Sequence, residues 1–462
     1  MGMRYRNGFW IVFLSVLFIL LGSFKTFNAQ HPCCPEDPEL SYLLNPTPSQ
    51  KYRYLVRYET FFSKVLGKEK GFFIILPEEF YQNPKAKYPT LYLLHGYNFH
   101  RRGWSWKATP PEEAKRILCE VKEEEYHWLL HEDVAVIANA MMDSKNRTYR
   151  ELQRSLEDRL DELSRNGGLL KEDYTPKEIA QSIVSHNLHP GGSPEDPFHP
   201  IQKMVIILPD GDNGFYTDEN EGKKLFPETK DESACDGFRS DEYLNYSVFP
   251  SLRMKPGALG QYESYFLELI RFLETQSGYK ERLLPMRGIG GMSMGGFGAM
   301  KLGLKYPHLF QSISSQSGLL DIGLLTDKWV LKMVVPEFLE VFGRLEAGKL
   351  PSGSSLDFKY IQLNNPLGLL KERGIKRLPR WIYFDYGEKE GHAWILEGNR
   401  NVEKRLYEKS HQISVQPFNG GAGHNYQFWR SRSGNILRHH SDVFQRMRGE
   451  ARDEVTALTA GD

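Results

Sequence analysis

Cysteine is scarce in this chain. Its four cysteines, Cys33, Cys34, Cys119 and Cys235, are too few for a disulfide scaffold in a chain of 462 residues, and no CxxC pair exists to supply a thiolate zinc site. Cys33 and Cys34 are adjacent, and the separation and torsion that a disulfide requires disfavour a bridge between neighbours, which leaves a long-range bridge as the open pairing. Net charge is absent as well. Lys and Arg number 59 and Asp and Glu number 59, so no overall field draws the chain to nucleic acid or to an anionic membrane surface. Partners must therefore be argued from a site. The apolar run 9–22 falls short of the roughly 20 residues that a membrane-crossing helix needs. Because Arg4 and Arg6 precede it, it reads as a secretory signal within residues 1–29, cleaved after Ala29. Phe27 stands where a small residue is expected, so an uncleaved membrane tether through 9–22 is the alternative. Either way the body is expected outside the cytosol, secreted or periplasmic.

What the chain does have is aromatic and apolar material for a large core: 13 % of residues are aromatic, and no internal repeat interrupts them. A linker is expected over 30–50 and a folded body over 51–447. Segments 52–60 and 71–76 are rich in Tyr, Phe, Val and Ile, and 89–95 (PTLYLLH) is a continuous apolar run of the kind buried on both faces of a sheet. Segments 205–208, 287–292, 312–315 and 381–384 repeat that character, with helical patterns at 263–274 and 297–305 among them. Strands alternating with helices predict an α/β fold with a mainly parallel sheet covered on both faces. The polar stretch 448–462 is expected to be a disordered tail.

The stretch RGIGGMSMGGFGAM, residues 287–300, sets Ser293 between Gly291 and Gly295 at the passage from a predicted strand to a predicted helix. GxSxG in that context is the pattern of a nucleophile elbow, a turn so tight that it tolerates no bulk beside the serine. GxSxG alone is a modest signal, since a glycine-rich loop matches it by chance; the flanking elements give it weight. A serine needs a histidine to accept its proton and a carboxylate to orient that histidine. In this arrangement the acid and then the histidine follow the serine. His424, in the glycine-rich FNGGAGHNYQFW, is the strongest candidate; His392, His411 and the pair His439 and His440 are rivals, the last three in stretches that read as solvated surface. For the acid, WIYFDYGEKEGH offers Asp385, Glu388 and Glu390, with Glu390 best placed beyond the strand end. HG at residues 95–96 ends a buried strand, so the Tyr97 amide can pair with that of Met294 to hold a negatively charged oxygen.

With these residues in view, the chain resembles the putative-esterase family of α/β-hydrolases, which includes S-formylglutathione hydrolases, feruloyl esterases and mycolyltransferase antigens. The resemblance is carried by FFSKVLG, FFIILPEEF, YPTLYLLHG, VIILPDGDNGFYTD, RGIGGMSMGGFGAMKLGLKYPHLF with its trailing SQSG, FDYGEKE and GGAGHNYQFW, in that order over 51–429. It implies Ser293 as nucleophile, His424 as base, Glu390 as acid, where many members have Asp, and the backbone of Tyr97 and Met294 as oxyanion hole. It also implies substrate contacts at His95, Gly96, Asp210, Gly211 and Trp429, and an acyl-enzyme mechanism without cofactor on a small-molecule, polysaccharide or lipid-linked ester. An acyltransferase of the same fold, and a silent binding protein on a hydrolase scaffold, are the competing readings.

Two segments, about 99–203 and 219–259, are longer than the family's usual connections. Helical patterns at 112–131 and 149–165 lie in the first, and both segments leave the sheet on the active-site side, where they would form a lid or cap. Trp104, Trp106, Tyr126 and Trp128 would then line an apolar pocket; surface decoration is the alternative. No metal is expected. Gly214 breaks the calcium-loop spacing of PDGDNGFYTDEN, and His186, His189 and His199 read as solvated loop residues. Asn146 and Asn245 head glycosylation sequons.

Overall fold

A computed structural model describes residues 55–97, 134–165, 174–212, 214–218, 260–325, 338, 341–344, 355–372, 381–390, 393–409 and 423–459. The expected signal segment and linker, the four tryptophan and tyrosine positions of 104–128, the segment 219–259 and all four cysteines lie outside the described residues.

Among the described residues nine strands follow in chain order: β1 (Leu55–Ser63), β2 (Lys68–Leu76), β3 (Tyr88–Leu94), β4 (Val205–Pro209), β5 (Leu283–Gly291), β6 (Ser312–Gln316), β7 (Gly343–Arg344), β8 (Ser355–Leu356) and β9 (Trp381–Asp385). Seven of them form one sheet in the order β1-β2-β4-β3-β5-β6-β9, while β7 and β8 make a separate ribbon. β1 and β4 each pair antiparallel with β2, and every pairing from β4 through β9 is parallel. The strands expected at 52–60 and 71–76 run three residues further at the end or start, because they pair with each other through a turn at Gly67.

The helices are α1 (Val134–Met142), α2 (Tyr149–Arg165), α3 (Pro176–Gln181), α4 (Tyr262–Thr275), α5 (Met294–Lys305), α6 (Phe358–Asn364), α7 (Pro366–Glu372), α8 (Ala393–Lys409) and α9 (Tyr426–Thr459). Alternate residues of β2 show how they divide. Phe72, Ile74 and Leu76 face a core built with α4, α5, α7 and α8, whereas Phe73 and Ile75 face a second core built with α1, α2, α3 and α9. Each large apolar side chain so removed from water contributes about 1.5–3 kcal/mol. Both faces of the sheet are covered, as its apolar strands require.

Three expectations are corrected here. In the first long connection, α1 and α2 are no lid: α1 has all nine residues buried, and α2 packs Leu152, Leu156 and Leu160 onto the same core as β2, β3 and β4. A helix apolar on nearly every side, such as VAVIANAMM with its single Asn139, belongs to an interior. The stretch 448–459 is not a loose tail, since α9 continues to Thr459. Its Arg, Glu and Ala content favours helix, and Arg448 donates to Gln202 Oε1 and to the Lys87 carbonyl. His440, read as solvated, is fully buried where β6 contributes small serines, with its ring between Ser312 Oγ at 2.6 Å and Ser314 Oγ at 2.8 Å.

Candidate active site

The parallel strands β5, β6 and β9 deliver three loops to one edge of the sheet. β5 ends at Gly291, and Ser293 follows with φ 51° and ψ −117° before α5 begins at Met294. A non-glycine residue in that region carries about 1–3 kcal/mol of strain, so the surroundings must hold it. They do: the Ser293 amide donates to the Gln316 carbonyl at 2.8 Å. Gly291 and Gly295 are dictated by contact, because a Cβ on Gly295 would lie 2.0 Å from the Leu94 carbonyl oxygen and one on Gly291 would lie 2.4 Å from the Gly295 backbone. Residues with side chains would push the elbow off the sheet.

His424 precedes α9, whose first turn is capped by Asn425 Oδ1 accepting from the Phe428 amide at 3.0 Å. Glu390 lies on the loop after β9, and a bridge between Lys389 and Gly423 ties that loop to the one carrying the histidine. The three side chains meet. His424 Nε2 lies 2.9 Å from Ser293 Oγ, and His424 Nδ1 lies 2.8 Å from Glu390 Oε2. The carboxylate beside Nδ1 favours a proton there, leaving Nε2 to accept from the serine hydroxyl. Glu390 is buried, which opposes its charge, yet hydrogen bonds from His424, from the Ser317 hydroxyl and from the Gly387 amide hold its carboxyl below the usual range. Trp429 packs edge-on against His424, with ring centroids 4.8 Å apart.

The rivals are placed elsewhere. Asp385 is buried against Arg432 and the Tyr383 hydroxyl, 3.2 and 2.7 Å away, with burial raising its pKa. Glu388 is exposed, and His439 and His440 lie behind the sheet on α9. His392 and His411 fall outside the described residues.

On the oxyanion side, Met294 is the first helical residue of α5, so its amide has no acceptor within the helix. Gly96 and Tyr97 leave β3 beside it, and a Cβ built on Gly96 would sit 3.5 Å from Ser293 Cβ. The expected substrate contacts divide. Asp210 is not presented to a ligand, because its Oδ2 accepts from the buried Lys70 ammonium at 2.7 Å, and Asp212 shares that ammonium at 3.0 Å. Burial pulls the Lys70 pKa down, and the two carboxylates more than offset this and hold it above its ordinary value. Gly211 and His95 are buried together, the Gly211 amide donating to His95 Nε2 at 2.9 Å. Lys70 and Ser317 were not singled out by the sequence reading. Ser317 carried a signal, since it belongs to the quoted SQSG and has the second strained serine backbone here, φ 45°.

Residues 255–439 match the family model described as Putative esterase. An acetyl esterase of Caldicellulosiruptor saccharolyticus is 26 % identical over 246 residues, which is 52 % of this chain and 73 % of that one. The chain has the α/β-hydrolase fold, and over residues 255–439 it is similar to esterases. Among solved structures, a ferulic acid esterase is 18 % identical with a TM-score of 0.45, over 85 % of this chain and 100 % of the other. An S-formylglutathione hydrolase from Agrobacterium tumefaciens is 12 % identical with a TM-score of 0.46, over 85 % and 97 %.

Proposed function

We propose that this hydrolase is an exported serine esterase that cleaves small acyl esters through an acyl-enzyme, with Ser293, His424 and Glu390 as its triad. The observation that carries the reading is the continuous hydrogen-bonded series from Ser293 Oγ through the His424 ring to Glu390, at 2.9 and 2.8 Å, on a strained elbow above a helix N-terminus. In the first half-reaction His424 Nε2 takes the hydroxyl proton as Ser293 Oγ bonds to the ester carbonyl carbon. The carbonyl electron pair moves to oxygen, where the Met294 and Tyr97 amides receive it. Collapse of that intermediate expels the alkoxide, which leaves with the proton from His424. Water then repeats the sequence on the acyl-enzyme and restores the serine. Glu390 keeps the imidazole in the required tautomer and offsets its transient positive charge.

Small acyl groups are favoured because the acetyl esterase relative aligns over half of the chain. Export is supported by the basic residues Arg4 and Arg6 ahead of the apolar run 9–22. Among the described residues no helix is long and apolar enough to cross a membrane. The reading is tested with p-nitrophenyl acetate and a fluorophosphonate probe. The parent should turn over the ester and label once at Ser293, and Ser293→Ala should lose about 10⁴–10⁶ of turnover together with all labelling. Undiminished turnover by the folded variant would remove the serine from the mechanism.

A further inference from the structure

His95 is buried at the end of β3, and both its amide and its Nε2 meet the loop after β4. The Gly211 amide points its hydrogen at Nε2 from 2.9 Å, so Nε2 must be the acceptor and the ring proton resides on Nδ1. Nδ1 lies 2.7 Å from the carbonyl oxygen of the next residue, Gly96, and in this tautomer it donates to it. The His95 amide in turn donates to the Tyr216 hydroxyl at 3.1 Å, and the Tyr216 ring covers Gly211 so closely that a Cβ there would lie 2.4 Å from it. The loop presenting Gly211 is itself fixed, by the Asp212 amide on Asp210 Oδ1 at 3.0 Å and by Lys70 between the two carboxylates. His95 Nε2 also stands 4.0 Å from Asp210 Oδ1, an ion pair only if the ring were charged. Burial lowers the His95 pKa, and the Gly211 donor requires a lone pair, so the ring is neutral.

A trans peptide sets its carbonyl and its following N–H on opposite sides of the chain. Holding the Gly96 oxygen on one side therefore fixes the direction of the Tyr97 amide on the other. We propose that His95 is a positioning residue of the oxyanion hole: its Nδ1–H anchors the Gly96 carbonyl and so aims the Tyr97 amide at the acyl oxygen above Ser293. This rests on the esterase reading above and gives His95 a role through the backbone in place of a direct substrate contact. The close passage of Gly96 by Ser293 supplies the geometry, and the fixed loop 210–212 supplies the rigidity.

The test compares His95→Leu with His95→Asn, whose amide nitrogen can replace the Nδ1 donor. Both are assayed with p-nitrophenyl acetate after folding is checked by thermal melting. Labelling of the parent at Ser293 by the fluorophosphonate separates failure of the esterase reading from failure of this one. Oxyanion donors are worth about 10²–10³ in kcat. His95→Leu is expected to lose that much with KM within about threefold, and His95→Asn to recover to within about tenfold of the parent. If His95→Leu does not fold, His95→Asp replaces it, since a carboxylate faces the Gly96 oxygen without a donor; it should fall about 100-fold below His95→Asn. Equal kcat in the donor and non-donor variants, or a loss confined to KM, would overturn the proposal.

Discussion

At the residue scale, two buried carboxylates five positions apart have different partners and hence different expected roles. Glu390 accepts from His424, Ser317 and the Gly387 amide, whereas Asp385 accepts from Arg432 and Tyr383. Glu390→Gln should lower kcat by about 10³–10⁴ through loss of the imidazole tautomer, with a melting temperature close to the parent's. Asp385→Asn should do the reverse. It removes the charge that offsets the buried Arg432 guanidinium, which is expected to cost about 3–5 kcal/mol in urea unfolding while leaving the kcat of the folded fraction near normal. Stopped assays combined with urea midpoints on both variants decide the matter, and an activity loss in Asp385→Asn larger than in Glu390→Gln would transfer the acid role. The candidate triad was legible because Ser293, Glu390 and His424 each sit in a short glycine-rich signature. The roles of Ser317 and Lys70 were not, because each acts through a partner 70 or more residues away in the chain.

At the scale of the element, the elbow is a contact problem between β3, β5 and α5. Gly295→Ala would drive a Cβ into the Leu94 carbonyl, backbone that cannot rotate away, whereas a Cβ on Gly278 would meet nothing within 4 Å. Gly295→Ala should therefore destabilise by about 1–3 kcal/mol and cut kcat at least tenfold, as the helix shifts away from β3 and carries Ser293 with it. Gly278→Ala is the control, and a parent-like melting curve and rate for both would mean that the elbow is looser than its contacts indicate. Elements were readable from sequence where one local pattern decides them, as in the continuous apolar run of β3 or the leucine stripe of α2. α1 escaped because VAVIANAMM is apolar at every position but Asn139 and has no period that separates helix from strand. α9 escaped at its far end because polar composition alone does not distinguish a solvated helix from a tail.

At the scale of the whole molecule, the fold places neutral histidines in its interior, and this fixes how stability should depend on pH. Burial lowers the pKa of His95, takes that of His439 to about 4, and holds that of His440 well below its ordinary value. Well above pH 6.5 these rings are neutral in both folded and unfolded chains, so their contribution is complete. As the pH falls below 6.5 the unfolded chain takes up protons that the folded one refuses, the difference in bound protons is positive, and stability must decline with pH. Buried Asp385, with its pKa raised, opposes the trend, because from its folded pKa down to the lower pH where unfolded aspartates titrate the folded chain binds the extra proton. The urea midpoint should thus be level between pH 8 and 7 and fall steadily from 6.5 toward 4, with a slope corresponding to about two to three protons. His440→Gln gives the decisive comparison, because an amide can still bond the Ser312 and Ser314 hydroxyls and takes up no proton. Its slope should be shallower by about one proton, and an unchanged slope would show that His440 is charged, or exposed, in the native state.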